Sequence, residues 1–220
     1  MKELRKLLGV TRGVTAVIGS GGKTSLLYRL AEELRPCGTV LLATTTHIMR
    51  PPQYPFAETA TQLRAALAAE GAACAGSYTP EGKLTAPAFD GWEQAADFVL
   101  VEADGSKRLP AKAHEAWEPV LPPRRRRTIC VLGASAFGQP IRQAAHRPAL
   151  FAQLAGVPWS AAITPEMAAR VIRREGFADI IYVNQVDELE PPPSWAEEFR
   201  KEAGIPVVIG SLQRKRWKRL

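Results

Sequence analysis

A lysine and a threonine set directly behind glycines, Gly19-Ser-Gly-Gly-Lys-Thr-Ser25, have the residue types and spacing to hold a triphosphate. Gly19, Gly21 and Gly22 carry no Cβ, so the backbone around Ser20 can curl and aim successive N–H groups at phosphate oxygens. Lys23 would reach the β and γ phosphates and the Thr24 hydroxyl would ligate magnesium. Ser25 would lie in the first turn of a helix whose positive end faces the anion. The Walker A pattern Gly-x-x-x-x-Gly-Lys-Ser/Thr is incomplete, because Val17 stands where its first glycine belongs; the shorter Gly-x-x-Gly-Lys-Thr survives. The plain alternative is a Gly-rich turn with an ordinary surface lysine.

Two further groups complete the candidate site. Glu102-Ala-Asp-Gly105 follows the apolar run Phe98–Val101, so a carboxylate at that strand tip, Glu102 or Asp104, could share magnesium with Thr24. Lys23, Glu102 and Asp104 are then the candidate catalytic set, acting mainly by stabilising charge on the γ-phosphate. Asn184-Gln-Val-Asp187, behind the run Ile180–Val183, has the form of the Asn-Lys-x-Asp element that reads guanine. The Asp187 carboxylate can accept from guanine N1–H and its amino group, whereas adenine offers it nothing to accept from there. Asn184 and Asp187 are therefore expected at the base, with Ser211 as a third contact after the last strand, and the nucleotide is GTP or ATP.

The elements that must position these residues can be read from periodicity. Val14–Ile18, Val40–Ala43, Phe98–Val101, Thr128–Leu132, Ile180–Val183 and Val207–Ile209 are short continuous apolar runs, as strands covered on both faces require. Helices are predicted over 23–34, 61–70, 148–155, 165–175 and 194–203, and a small hairpin over 73–87 turning at Thr79-Pro-Glu-Gly82. The alternation predicts an α/β, P-loop NTPase-like fold: one domain over 1–220 with a mostly parallel sheet, helices on both faces and ligands at the carboxyl ends of the strands.

Composition sets the remaining bounds. At 220 residues and 46% hydrophobic content the chain can bury one substantial core. It has no apolar run of membrane-spanning length, and Met1–Leu8 lacks the h-region of a secretory signal, so a cytoplasmic protein with no membrane partner is expected. Cys37, Cys74 and Cys130 are too few and too scattered for a disulfide framework or a zinc site. The net charge of +7 is concentrated in Arg124–Arg127 and a basic tail over 213–220, which read as solvated charge; no groove-reading motif accompanies them, and nucleic acid is not expected as a partner. Thr44–Thr46 could act as a magnesium-sensing switch or merely end a strand. His146-Arg147 and Lys107-Arg108 could grip an anionic substrate, although surface or packing roles are commoner uses of such pairs. His47, His114 and His146 show no metal-ligand spacing.

Taken together, Gly19–Ser25, Thr44-Thr-Thr-His-Ile48, Val101-Glu-Ala-Asp-Gly-Ser-Lys-Arg-Leu-Pro110, His146-Arg-Pro148 and Asn184-Gln-Val-Asp187 resemble the YqeC family of selenium-dependent hydroxylase accessory proteins. Gln185 stands where family members usually have Lys, and Trp117-Glu-Pro119 replaces a more usual His-Glu-Pro. The resemblance implies a nucleotide-binding accessory factor for selenium-dependent molybdenum hydroxylases; together with the phosphate and magnesium motifs the expectation is a magnesium-dependent, nucleotide-hydrolysing factor whose partner is such a hydroxylase or its cofactor. A small-molecule kinase or ligase and a non-hydrolysing nucleotide-binding regulator are the alternatives.

Overall fold

The computed structural model describes residues 3–220; Met1 and Lys2, the start of the Met1–Leu8 segment, lie outside the described residues. In chain order the elements are α1 (Leu4–Leu7), β1 (Gly13–Gly19), α2 (Lys23–Leu34), β2 (Val40–Thr44), β3 (Phe56–Ala57), α3 (Ala60–Glu70), β4 (Ala72–Ala75), β5 (Ser77–Tyr78) and β6 (Leu84–Thr85). There follow β7 (Phe98–Glu102), β8 (Ala111–Lys112), β9 (Arg125–Gly133), α4 (Ile141–Ala144), β10 (Ala145–His146), α5 (Pro148–Ala155), α6 (Pro165–Glu175), β11 (Ile180–Asn184), α7 (Ala196–Ala203), β12 (Val207–Ser211) and β13 (Arg216–Arg219).

Nine strands form one sheet in the order β13-β12-β11-β9-β1-β7-β2-β4-β3, and only β13 runs antiparallel to its neighbour. Every residue of β2, β7, β11 and β12 is buried, which is why these strands read as continuous apolar runs instead of alternating ones until their polar last residues, Thr44, Glu102, Asn184 and Ser211. Their alternate residues nevertheless serve different layers. Val17, Leu42, Leu100, Val131 and Tyr182 pack with the α2 leucines Leu26, Leu27, Leu30 and Leu34. Ile18, Leu132, Val183 and Ile209 meet Phe151, Val171 and Phe199 of α5, α6 and α7, while Leu41 and Val99 meet Leu63 and Leu67 of α3. The helices thus lie on both faces of an α/β, mostly parallel sheet, with β1 central and its carboxyl end delivering the glycine loop that precedes α2.

Three sequence expectations need correction. The hairpin is confined to β5 and β6; the residues before it, Ala72–Ala75, form a main-sheet strand paired in parallel with β2. A run of alanines and one cysteine has too little side chain to announce a strand of the main sheet, yet that small size suits a strand buried on both faces. Arg125–Arg127, exposed at its first two residues and half-buried at Arg127, is the start of β9, lengthening that strand beyond Thr128–Leu132. The basic stretch near residue 220 is not simply a solvated tail: Arg216–Arg219 pairs with Val208–Ser211 as an edge strand, anchored by Trp217, which is 7% exposed and sits beneath the Arg29 guanidinium.

Candidate functional site

Gly21 and Gly22 have φ of 87° and 131°, in the left-handed region where a side chain is strained. Added Cβ atoms would land on the Gly133 backbone and on the Asn184 side chain respectively, so both glycines are required by close approach as well as by conformation. The loop they build is strapped by the chain leaving β7: Ser20 Oγ donates to the Leu109 carbonyl, and Gly133 N donates to the Pro110 carbonyl at 2.8 Å.

At the mouth of α2 the predicted phosphate and metal residues converge. Lys23 is 4% exposed, and its Nζ donates to the Gly19 carbonyl at 2.8 Å and to Ser106 Oγ at 3.1 Å. The same ammonium lies 3.0 Å from Asp104 Oδ1 and 3.7 Å from Glu102 Oε1. The Asp104 contact is one of charge without hydrogen-bond alignment, since Asp104 Oδ1 is buried with no hydrogen-bond partner among the described residues. Thr24 Oγ1 donates to Glu102 Oε2 at 3.0 Å. Burial raises the Glu102 pKa, with Lys23 and Thr24 offsetting only part of that effect. A hydroxyl and a carboxylate oxygen in contact, on a carboxyl group short of positive charge, fit a hard cation such as magnesium. Among the described residues no group of three or more His, Cys, Asp or Glu side chains could hold a metal.

The two acidic residues, paired as equivalents in the sequence, have separate surroundings. Glu102 faces Thr24, whereas Asp104 turns inward and is fully buried. Asp104 Oδ2 accepts from Gly19 N at 2.7 Å and meets His114 Nε2 at 2.6 Å, with Lys112 Nζ at 3.5 Å. Burial would raise its pKa, but Lys23, His114 and Lys112 outweigh that and hold it at about 2. On the far side of the ring, His114 Nδ1 meets Glu175 Oε2 at 2.9 Å, and the His114 backbone N–H donates to Glu175 Oε1 at 2.6 Å. Burial alone would lower the His114 pKa; the two carboxylates override it and raise it. Only an imidazolium can donate to both at once.

Glu175–His114–Asp104 is therefore a buried charged chain running from the end of α6 to the phosphate loop. Sequence reasoning missed it, because its members are 10 and 61 residues apart and no local spacing links them. Buried Lys112 extends it, bonding the Gly105 carbonyl and Glu118 Oε2, the latter at 2.7 Å.

Asn184, Asp187 and Ser211 come together around a cleft of about 460 Å³ beside the phosphate loop, also lined by Ser25, Tyr28, Gln213 and Lys215. Asn184 does not point freely into it. Its Nδ2 donates to the Gly21 carbonyl at 2.8 Å and its Oδ1 accepts from Leu212 N at 3.1 Å, so it joins the phosphate loop to the loop after β12. Ser211 Oγ accepts from Arg214 N at 3.2 Å, closing a turn, while Asp187 is exposed with Arg214 at 3.8 Å. A larger cleft of about 1080 Å³ opens over Lys23, Thr24 and Glu102 and extends to His47, Lys107, Arg108, His146 and Arg147. Thr44 and Thr45 turn away from it, donating to the carbonyls of Glu102 and Val120 at 2.9 and 2.6 Å; they end the strand and brace its neighbours.

A model of the YqeC protein family matches residues 15–149, more than half of the chain. The YqeC protein of Escherichia coli (strain K12) is 31% identical over 198 residues, spanning 80% of this chain and 77% of its own length. Among solved structures, the signal recognition particle 54 kDa protein of Aeropyrum pernix K1, in complex with GDP, aligns over 96% of this chain with TM-score 0.47 and 16% identity; the chain spans 44% of that protein's length. No helix among the described residues is long and apolar enough to cross a membrane. The chain belongs to the YqeC family.

Proposed function

We propose that this member of the YqeC family binds a nucleoside triphosphate with magnesium and hydrolyses it, as an accessory factor in the maturation of a selenium-dependent molybdenum hydroxylase. The observation that carries the nucleotide reading is the convergence at the mouth of α2, where Lys23 and Thr24 meet Glu102, all against a glycine loop closed to side chains. Backbone N–H groups of residues 19–25 would bind phosphate oxygens, and Lys23, released from the Gly19 carbonyl, would bind the β and γ phosphates. Thr24 and Glu102 would hold magnesium, which when bound draws charge off the phosphates. Asp104 would fix the loop through Gly19 N–H and orient Lys23 electrostatically. On the base side, Asp187 in the smaller cleft is the group able to distinguish guanine from adenine, with Asn184 joining the two loops around it. Turnover then lowers the barrier by electrostatic stabilisation in a site already built, with no covalent intermediate on the protein.

The test is a nucleotide panel on wild type and Lys23→Ala, with and without magnesium, reading affinity and phosphate release. Losing one charge-assisted phosphate contact removes about 1.5–3 kcal/mol, so triphosphate affinity should fall roughly 10- to 100-fold. Unchanged affinity and release in a folded Lys23→Ala protein would overturn the nucleotide reading. Basal release identifies an NTPase, consumption only in the presence of a second substrate identifies a kinase or ligase, and binding without turnover identifies a regulator. Adding the molybdenum hydroxylase or its cofactor to the same assay reads the proposed client.

A further inference from the structure

All five non-glycine residues with left-handed backbone among the described residues, Lys107, Arg108, Arg147, Gln185 and Lys215, line one or other of the two clefts. Such conformations are strained and persist where function or packing imposes them. Three of the five are cations on the wall of the larger cleft, at φ of 47°, 62° and 63°. Lys107 and Arg108 follow the Glu102–Gly105 strand tip, and Arg147 immediately precedes α5.

A second segment brings two more cations. Ile48 and Leu84 exchange backbone hydrogen bonds of 3.0 and 2.8 Å, clamping the β5–β6 hairpin to the chain after β2 and placing Arg50 and Lys83 on the same cleft. Of the cleft's six Lys and Arg side chains, Lys23 is paired with Glu102 and Asp104, and Arg147 with Glu115 and Glu118. Arg50, Lys83, Lys107 and Arg108 have no carboxylate within 4 Å among the described residues, and only Glu102 and Glu118 supply acid to the lining. A magnesium-bound triphosphate retains roughly two negative charges. Lys23 meets one of them, which leaves four cations without a carboxylate partner facing about one, Arg50 among them also touching the Phe56 ring and the Tyr78 hydroxyl.

We propose that the larger cleft contains, beside the phosphate loop, a second ligand subsite for a phosphate-bearing small molecule, gripped by Lys107 and Arg108 with Arg50 and Lys83. The placement beside a triphosphate rests on the nucleotide reading above; the subsite itself rests on the charge and strain of the cleft. His146 stands among these cations, and burial together with Lys112 and Arg147 lowers its pKa, so the wall adds a neutral imidazole able to accept a hydrogen bond from the same ligand. The larger cleft, at about 1080 Å³, has room beside the phosphate loop, while the residues expected at the base line a separate cleft of about 460 Å³.

The test is calorimetric titration of the full chain with phenyl phosphate and, separately, inorganic phosphate. Each is measured on protein saturated with a non-hydrolysable triphosphate and magnesium, where the phosphate loop is filled, and again on Lys23→Ala without nucleotide, where the loop keeps its backbone N–H groups but has lost its ammonium. One saturable site for phenyl phosphate is expected in both. Lys107→Gly with Arg108→Gly should weaken it by about tenfold or more while leaving triphosphate affinity within about threefold. Because glycine relieves the left-handed backbone, that double variant should keep or raise the thermal midpoint, separating lost binding from lost fold. Inorganic phosphate binding as tightly as the ester supports the subsite and assigns it to the free oxyanion. Absence of saturable binding in wild type, retention of it in the double variant, or an equal loss of triphosphate affinity would each overturn the proposal, the last assigning these cations to the nucleotide. If wild type binds no triphosphate yet binds phenyl phosphate at a site the double variant loses, the nucleotide reading fails and the subsite stands.

Discussion

Replacing His114 by leucine should cost the protein about 3–5 kcal/mol of stability, a large share of the 5–15 kcal/mol typical of a folded domain. The side chain has almost no exposure, so leucine refills the volume and the loss is polar. Asp104 Oδ2 gives up its 2.6 Å partner and keeps only Gly19 N–H at 2.7 Å with the two lysines nearby. Glu175 gives up the 2.9 Å contact of Oε2 and keeps the backbone N–H on Oε1. Each lost hydrogen bond to a buried charge is worth about 1.5–3 kcal/mol, and two of them with partial relaxation give the range stated. At roughly 2–4 °C per kcal/mol for a chain of this size, the thermal midpoint should fall by about 10 °C. Urea denaturation with an unchanged m-value is the assay. Pairing His114→Leu with Glu175→Leu should be less destabilising than the sum of the two, by about 1–3 kcal/mol, because the double variant leaves one fewer unpaired carboxylate. A loss under about 1 kcal/mol for His114→Leu, or strict additivity, would refute the picture of a buried charged chain holding the phosphate loop.

Glu102→Gln should weaken magnesium-dependent triphosphate binding more than binding measured in EDTA, yet leave stability unchanged or slightly higher, since burial already disfavours its carboxylate; equal losses with and without metal would assign Glu102 to packing. Competition titrations should show GTP preferred over ATP several-fold, with Asp187→Ala erasing a difference worth about 1–3 kcal/mol; equal affinities in wild type would make the protein an ATP user. Stability should depend on pH at both ends. Asp104 titrates at about 2 against an ordinary 3.8, so its roughly 2 kcal/mol is fully present above pH 3.8 and disappears as pH falls through 2. His114 is raised above 6.5, so its contribution is fully present below 6.5 and declines as pH rises through its folded pKa, a decline that denaturation midpoints should show in wild type and not in His114→Leu.

How much of this the sequence revealed depended on whether a feature was local. Phe98–Val101 and Ile180–Val183 are identifiable because strands buried on both faces are apolar at every position, Val14–Ile18 because only Thr15 interrupts such a run, and the α2 leucines because helical spacing repeats them on one face. The glycine loop was legible because its constraint is carried by consecutive residues. Ala73–Ala75 read as part of a hairpin because small side chains carry little strand signal, and only pairing with β2 defines the strand Ala72–Ala75. The inward turn of Asp104 could not be read at all: the difference between it and Glu102 is made by His114 and Lys112, which the strap after β7 folds back beneath the loop. Asn184 was located correctly at the end of β11, but its bond to the Gly21 carbonyl spans 163 residues of sequence and leaves no pattern in it.

The two margins of the nine-stranded sheet bear on how the protein behaves when crowded by copies of itself. An open strand edge is a template for another chain's backbone, and sheets of this width aggregate if their margins are long, flat and apolar. Here one margin is β3, two residues long and entered from Pro51, Pro52 and Pro55, which offer no N–H to an incoming strand. The other is β13, where Arg216 and Arg219 are exposed and Lys218 half-buried, so a second copy approaching edge to edge would set like charges against each other. The exposed arginines of that strand would therefore oppose edge-to-edge pairing of two copies, a colloidal consequence independent of any ligand.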